Sequence, residues 1–143
     1  MELDELYQEV ILDHAKRPRN RRELPQCTAV AHGDNPSCGD EITVFVNLGP
    51  DGRITETTFT GSGCAISQAS ASILTTQVIG KTRPEVEALI KTYHATLATD
   101  GESVDADGLG NLAAMGGVRK FPQRVKCATL ASHALGNALA QVP

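Results

Sequence analysis

The chain has 143 residues and a formal net charge of −4, with 41% hydrophobic and 21% charged residues. This composition is ordinary for one folded domain, here residues 1–143, and it excludes a disordered or collagen-like chain. The acidic balance and the 3% aromatic content argue against nucleic acid and against a membrane surface as partners. No apolar run approaches the roughly 18 residues of a transmembrane helix. The acidic N-terminus is unlike a signal peptide, which predicts a cytoplasmic protein without disulfides.

The first half of the sequence predicts one helix followed by a small sheet. Apolar residues at helical spacing open the chain, and Pro18 ends this predicted helix. Alternation of apolar and polar residues over 42–48 predicts a strand with one buried face. Turn residues at 50–52 and a threonine-rich run at 54–60 predict an antiparallel return strand, and residues 27–33 predict a further short strand.

The second half of the sequence is rich in predicted helix. Helical composition and spacing occur over residues 65–79, 82–97 and 122–139, with one further helical turn at 112–115. Thr82 and Glu85 form a capping box at the start of the second of these helices. The acidic, glycine-rich segment 98–110 is expected to be an exposed loop. Strands followed by helices predict an α+β fold, with several helices on one face of a small antiparallel sheet of about three strands.

Three of the four cysteines stand where a reactive or metal-binding thiolate is favoured. Cys38 lies in a turn-rich segment two residues before Asp40, and thiolate and carboxylate are both zinc ligands. Cys64 lies where a strand ends and a helix begins, so helical N–H groups favour its anion. Cys127 follows Arg124 by one helical turn, and a nearby cation also favours the thiolate.

Spacing alone leaves the role of these cysteines open. None of them forms a Cys-x-x-Cys pair, so a shared metal site and separate buried thiols both remain possible from the residues. Cys27 lies outside every motif and is expected to be an ordinary thiol. Of the four scattered histidines, His32 is the one close enough to Cys38 in sequence to be weighed as a ligand.

Three motifs, taken in order, resemble the IscU/SufU family of iron–sulfur cluster assembly proteins. They are Asn-Pro-Ser-Cys-Gly-Asp at 35–40, Gly-Ser-Gly-Cys-Ala-Ile-Ser at 61–67 and Lys-Cys-Ala-Thr-Leu at 126–130. The opening residues 6–20 share the resemblance, which therefore covers nearly the whole chain. Lys126 stands where the IscU form has a histidine, and residues 98–118 resemble an insertion of the SufU form. Ser132 departs from that form, in which a tryptophan is expected.

The resemblance implies a zinc site made by Cys38, Asp40, Cys64 and Cys127, with Arg124 steadying it from outside. It also implies the chemistry of that site. Cys38 is the expected acceptor of persulfide sulfur from a cysteine desulfurase that uses pyridoxal phosphate. The sulfur then passes to downstream iron–sulfur assembly or acceptor proteins.

Two other functions remain open at this point. The same four residues would ligate iron if the chain were a scaffold on which a [2Fe–2S] cluster is assembled and transferred. The zinc would instead be purely structural if the chain were a small binding module. Whether the chain is an enzyme, as a zinc-dependent sulfurtransferase, or a non-enzymatic scaffold is therefore left open, with Lys126 favouring sulfur transfer.

Overall fold

The computed structural model describes residues 3–37, 39–98 and 107–142, which form one sheet and a set of helices. In chain order the elements are α1 (Leu3–Lys16), β1 (Ala29–Asn35), β2 (Asp40–Leu48), β3 (Ile54–Ser62), α2 (Ala65–Val78), α3 (Arg83–Ala98), a 3₁₀ segment (Asp107–Lys120) and α4 (Pro122–Ala140). The predicted α+β class is confirmed. In the described ranges, no helix is both long and apolar enough to cross a bilayer.

The sheet is an antiparallel meander in the order β1-β2-β3. Its register sets Asn35 opposite Asp40 and Val44 opposite Phe59. The alternation at 42–48 predicted β2 correctly, but the strand begins earlier, at Asp40, because backbone pairing with Asn35 extends the ladder past the apolar residues. Asp40 therefore belongs to the rigid sheet and not to the loop before it.

Helices α2 and α4 cover one face of the sheet, as predicted, and the core lies between these layers. Buried residues of β2 such as Ile42 and Val46 point into this core, together with Leu135 and Leu139 of α4. A Cβ at Gly33 would lie 3.1 Å from Leu130, so β1 and α4 approach closely. Burial of these apolar side chains supplies the main driving force for the fold.

An outer layer, formed by α1 and α3, packs on the helices that cover the sheet. His14 of α1 contacts the hydroxyl of Ser72 on α2 through Nδ1 at 2.8 Å. His94 of α3 contacts the hydroxyl of Ser132 on α4 through Nε2 at 2.7 Å. Burial lowers the pKa of both histidines from its ordinary value. Ser132, which replaces the expected tryptophan, is thus a buried partner that joins two helices.

The segment after α1 runs along the outer edge of β3. The carbonyl of Asn20 accepts a hydrogen bond from the Phe59 N–H at 3.0 Å, and Arg21 forms a parallel bridge with Phe59. The Asn20 amide also donates to Thr75 on α2 at 3.0 Å. This segment therefore covers an edge that would otherwise present unpaired backbone groups.

The helical half of the chain follows the prediction except around residues 98–120. The capping box is confirmed, since the Thr82 N–H donates to the Glu85 carboxylate at 2.8 Å. The predicted exposed loop is wrong at both ends, because Ala98 belongs to α3 and residues 107–110 belong to the 3₁₀ segment. Burial of Leu109 in the core explains the second error. The rest of that loop, residues 99–106, lies outside the described residues.

Candidate metal centre

Three separate elements bring Asp40, Cys64 and Cys127 together. Asp40 is the first residue of β2, Cys64 precedes α2, and Cys127 lies in the second turn of α4. One ligand atom from each lies within 4.8 Å of the others. Within the described ranges this is the one such convergence of histidine, cysteine and acidic side chains. Cys38 lies outside the described residues, so its membership of this metal centre stays a prediction.

The donor set fits a tetrahedral zinc ion. Two sulfurs and one carboxylate oxygen are ligands that zinc takes at about 2.0–2.3 Å, which places neighbouring ligand atoms about 3.3–3.8 Å apart. The Asp40 Oδ2 to Cys64 Sγ distance of 4.0 Å is close to that range. The same thiolates also suit iron, so the donor set alone does not choose between the two metals.

Asp40 is held in place by the backbone at the start of α2. Its side chain is 1% exposed, and its Oδ1 accepts the Cys64 N–H at 2.9 Å. A Cβ at Gly63 would overlap the Asp40 carboxylate and the Ser67 hydroxyl, so only glycine lets the carboxylate reach this backbone. Gly63 of the 61–67 motif therefore allows the Asp40 carboxylate to reach its position and also forms part of the turn.

The sulfur of Cys64 remains available at a helix N-terminus. Cys64 occupies the N-cap position of α2, yet its side chain makes no capping hydrogen bond. Oriented N–H groups at this end of a helix favour negative charge. Cys127, in contrast, is fully buried within α4. The two thiols therefore reach the centre from different environments, one half-buried and one in the core.

Arg124 lies between the centre and solvent. Its exposed guanidinium hydrogen bonds to both the Cys64 and Cys127 side chains. The negative charge of the Cys64 thiolate, followed by that hydrogen bond and by the equivalent contributions of Cys127, raises the pKa of Arg124. Arg124 thus places a positive charge against the two sulfur atoms, on the exposed side of the centre.

Other residues weighed from the sequence lie apart from this group. The Cys27 thiol is half-buried and donates to the Ala29 carbonyl at 3.3 Å. His32 is exposed and contacts Thr43 at 2.8 Å, on the face of the sheet away from α4. Neither belongs to the converging group of ligand atoms.

A groove beside the centre was missed by the sequence analysis. It has a volume of about 570 Å³ and is lined mainly by apolar residues of α1, α2 and the 3₁₀ segment, with Phe121 just before α4 and Arg124 in α4. Leu12 and Phe121 on its walls are 51% and 61% exposed, and Lys120 and Arg124 add positive charge. Four elements contribute to the groove, and each resembles an ordinary helix face in sequence. The one signal in the sequence is an aromatic residue, Phe121, set among basic residues.

Comparison with known proteins agrees with this fold. The NifU-like N terminal domain model matches residues 6–138. The IscU iron–sulfur cluster assembly scaffold protein of Streptococcus pyogenes serotype M1 is 41% identical over 137 residues, covering 96% of this chain and 84% of the relative. The zinc-dependent sulfurtransferase SufU of Bacillus subtilis strain 168 is 41% identical over 140 residues, covering 97% and 92%.

A solved structure has the same architecture. The crystal structure of SufU from Fervidobacterium islandicum AW-1 superposes with a TM-score of 0.86 at 33% identity, covering 96% of this chain and 99% of that one. Sequence and structure therefore agree over almost the full length compared. The chain belongs to the NifU-like N-terminal domain family, with the IscU and SufU proteins of iron–sulfur cluster assembly as its relatives.

Proposed function

We propose that this protein accepts persulfide sulfur from a cysteine desulfurase for iron–sulfur cluster assembly. In this proposal Cys38 is the acceptor thiol, and zinc is held by Cys38, Asp40, Cys64 and Cys127. The observation that carries the proposal is the convergence of a buried carboxylate and two thiols from three separate elements. Its further support is a relative, 41% identical, that is named a zinc-dependent sulfurtransferase.

The residues of the chain divide the work of the centre. Bound zinc keeps its thiol ligands deprotonated at neutral pH. Asp40 contributes a ligand whose second oxygen is occupied by the Cys64 N–H, which fixes the orientation of the carboxylate. Arg124 offers hydrogen bonds to two of the sulfurs and offsets part of their negative charge.

The transfer itself exchanges one disulfide-type bond for another. The Cys38 thiolate attacks the outer sulfur of the persulfide on the desulfurase. The sulfur–sulfur bond of the donor breaks, and the donor cysteine leaves as a thiolate while a new sulfur–sulfur bond forms on Cys38. The electrons balance without an added oxidant or reductant, and the persulfide proton travels with the transferred sulfur.

The groove supplies a route for the donor. It shares Arg124 with the metal centre, so a segment seated in the groove would end beside the thiols. Its apolar walls suit apolar side chains, and the positive charges of Lys120 and Arg124 suit the thiolate that the donor cysteine becomes when it leaves. We therefore assign the groove to the persulfide-bearing segment of the desulfurase.

A cluster scaffold is the second candidate function. It is favoured by the Streptococcus pyogenes relative, named a scaffold protein, which is as similar in sequence as the sulfurtransferase. In that case a [2Fe–2S] cluster is the cargo of the same centre, and acceptor proteins receive it. Lys126, which stands where the IscU form carries a histidine, favours sulfur transfer instead.

Desulfurase turnover separates the two functions. Zinc-loaded, iron-free protein is added to a pyridoxal-phosphate-dependent cysteine desulfurase, and alanine release is measured together with retained zinc. A large rise with zinc still bound is the expected result. No rise, with a stable cluster forming once iron and sulfide are supplied, would establish the scaffold function.

Single variants identify the acceptor. Cys38→Ala is expected to fold and to accept no sulfur in mass spectrometry, whereas the control Cys27→Ala, outside the centre, accepts sulfur normally. Sulfur acceptance by Cys38→Ala would show that Cys38 is not the acceptor. Loss of acceptance in Cys127→Ala with zinc retained would assign that role to Cys127.

A further inference from the structure

We infer that Ser67 is a positioning residue of the metal centre, whose hydroxyl fixes the backbone of Cys64 and the place of the Asp40 carboxylate for metal binding. This role deepens the proposed function and rests on it only in that a metal ion occupies the centre. Ser67 belongs to the 61–67 motif, but its hydroxyl is not among the ligands that zinc ordinarily takes. Its role follows from the contacts around the start of α2.

The first turn of α2 is not capped by its own N-cap side chain. An N-cap side chain ordinarily accepts a hydrogen bond from a backbone N–H of the first turn. Cys64 occupies the N-cap position, and its side chain makes no such bond. The Cys64 sulfur is therefore not tied to the helix, and the backbone of this residue is held by other groups.

Asp40 and Ser67 hold the peptide groups on the two sides of Cys64. The Cys64 N–H donates to Asp40 Oδ1 at 2.9 Å. The Ser67 hydroxyl donates to the Cys64 carbonyl at 3.0 Å, and the Gln68 N–H donates to the same carbonyl at 3.1 Å. Because both peptide groups are held, both backbone torsion angles of Cys64 are restricted. The direction in which its side chain leaves the backbone is restricted with them.

The Ser67 hydroxyl also lies beside the Asp40 carboxylate. A single Cβ built on Gly63 would overlap both Asp40 Oδ1 and Ser67 Oγ, so the two oxygens pack against the same glycine. Asp40 and Ser67 are each 1% exposed. In an interior packed this closely, an oxygen that fills the space beside the carboxylate leaves it few other orientations. Ser67 therefore acts on two metal-ligand residues, through a hydrogen bond to one and through packing beside the other.

One turn further along α2, Ser70 makes the same kind of hydrogen bond in different surroundings. Its hydroxyl donates to the Ser67 carbonyl at 3.0 Å, and the residue is 2% exposed. A serine hydroxyl that bonds back to a helical carbonyl does not by itself indicate a functional role. Ser67 differs because its acceptor belongs to Cys64 and its oxygen lies beside Asp40. Ser70 is thus a control that is matched in residue type, burial and hydrogen bond.

The test compares Ser67→Ala with Ser70→Ala in the full chain, with Zn²⁺ and Co²⁺ as probes. Each substitution removes one hydroxyl, and both variants should fold because alanine favours the helix and the Gln68 N–H still donates to the Cys64 carbonyl. Thermal unfolding of the metal-free proteins checks this and should show a similar loss of stability in both. Chelator competition gives the Zn²⁺ dissociation constant, and the absorption spectrum of bound Co²⁺ reports the coordination geometry.

The expected result is a change of the metal centre in Ser67→Ala and none in Ser70→Ala. The Zn²⁺ dissociation constant of Ser67→Ala should rise about tenfold, at the lower end of the effects of residues that hold metal ligands in place. The ligand-field bands of bound Co²⁺ should broaden, because the Asp40 carboxylate and the Cys64 sulfur adopt more than one arrangement. In the metal-free protein, hydrogen exchange of the Cys64 N–H should become faster, since its hydrogen bond to Asp40 is less well supported.

An unchanged Zn²⁺ affinity in Ser67→Ala would overturn the positioning role of Ser67. An equal change in Ser70→Ala would overturn it as well, because the effect would then belong to α2 as a whole. The outcome for the proposed function is separate, since it depends on sulfur acceptance and not on metal affinity. Wild-type protein that binds Zn²⁺ at the centre but accepts no sulfur would refute sulfur transfer, and weaker binding in Ser67→Ala would still support the role of Ser67.

Discussion

The metal centre and the outer layer are built on the same two helices but treat polar groups in opposite ways. At the N-terminal ends of α2 and α4, Cys64 and Cys127 converge with Asp40, and Arg124 connects this group to the neighbouring groove. Farther along the same helices, Ser72 and Ser132 are buried and paired with histidines. The side chains at one end converge as ligand atoms, and the hydrogen-bonded pairs farther along hold helices together. Substitutions should therefore alter binding in the first region and stability in the second.

Asp40→Asn breaks the binding side of this comparison with the largest effect. The variant keeps an oxygen that accepts the Cys64 N–H but removes the charge of a ligand. Because loss of a hydrogen-bond partner outside the ligand shell already weakens metal binding about 10–100-fold, we expect zinc affinity to fall more than about 100-fold. Chelator competition measures this change, and far-ultraviolet circular dichroism is expected to remain that of the folded protein.

Asp40→Ala then distinguishes a transfer site from a structural one. This variant also removes the acceptor of the Cys64 N–H, so a modest fall in unfolding temperature is expected. If both Asp40 variants unfold when their zinc is lost, the metal is structural and the sulfur-transfer proposal loses its support.

The pH dependence of the free energy of unfolding tests the stabilising role of buried His14. Burial, followed by the nearby charge of Arg19, lowers the pKa of His14 from its ordinary value of 6.5. The folded protein therefore holds this histidine neutral where the unfolded chain protonates it. The contribution of neutral His14 to the free energy of unfolding should be fully present above about pH 6.5. It should be lost as the pH falls from there through the lowered pKa. Thermal unfolding with a chelator present measures this loss without interference from zinc release.

His14→Ala and His14→Asn separate pairing from titration. His14→Ala removes the imidazole from the Ser72 hydroxyl, whose oxygen also accepts the Arg19 N–H, and is expected to lower the free energy of unfolding by about 2 kcal/mol at neutral pH. His14→Asn places an acceptor that does not titrate near the same hydroxyl, so the acid-dependent loss should shrink. An equally steep loss in His14→Asn would exclude His14 as its source.

Phe121→Ala sharpens the comparison with the smallest of these effects. Phe121 is the most exposed large apolar side chain on the groove wall. A partner seated in the groove would bury it, and truncating an aromatic side chain that is buried at an interface costs about 1 kcal/mol or more. We expect the KM of the desulfurase reaction for this protein to rise about fivefold, with kcat and zinc content unchanged. Ile79→Ala is the matched control, because Ile79 is similarly exposed but lies outside the groove. Equal effects of both variants would refute docking at the groove.

Local patterns in the sequence predicted the fold better than they predicted the centre. Alternation over 42–48 and the Thr82 capping box depend on neighbouring residues, so both were predictable. The earlier start of β2 at Asp40 depends on its pairing with Asn35, a tertiary fact. The convergence of ligands far apart in sequence had to come from family resemblance, because spacing carries no information about which loops meet.

The groove had one weak signal in the sequence, which is Phe121 set among basic residues. The groove depends on how four helical segments pack, and each contributes only one or two turns to its walls.

The segment that covers the edge of β3 protects the protein against aggregation at high concentration. A bare strand edge is a template on which a second chain can add a strand, and such addition can propagate into aggregates. Asn20 and Arg21 occupy the β3 border, while Gln141, the residue after the last helix, donates one hydrogen bond to the border formed by β1. Each edge strand of this small sheet is thus contacted by another part of the same chain. Resistance to edge-to-edge aggregation at high concentration therefore depends on residues that are remote in sequence from the cysteines of the metal centre.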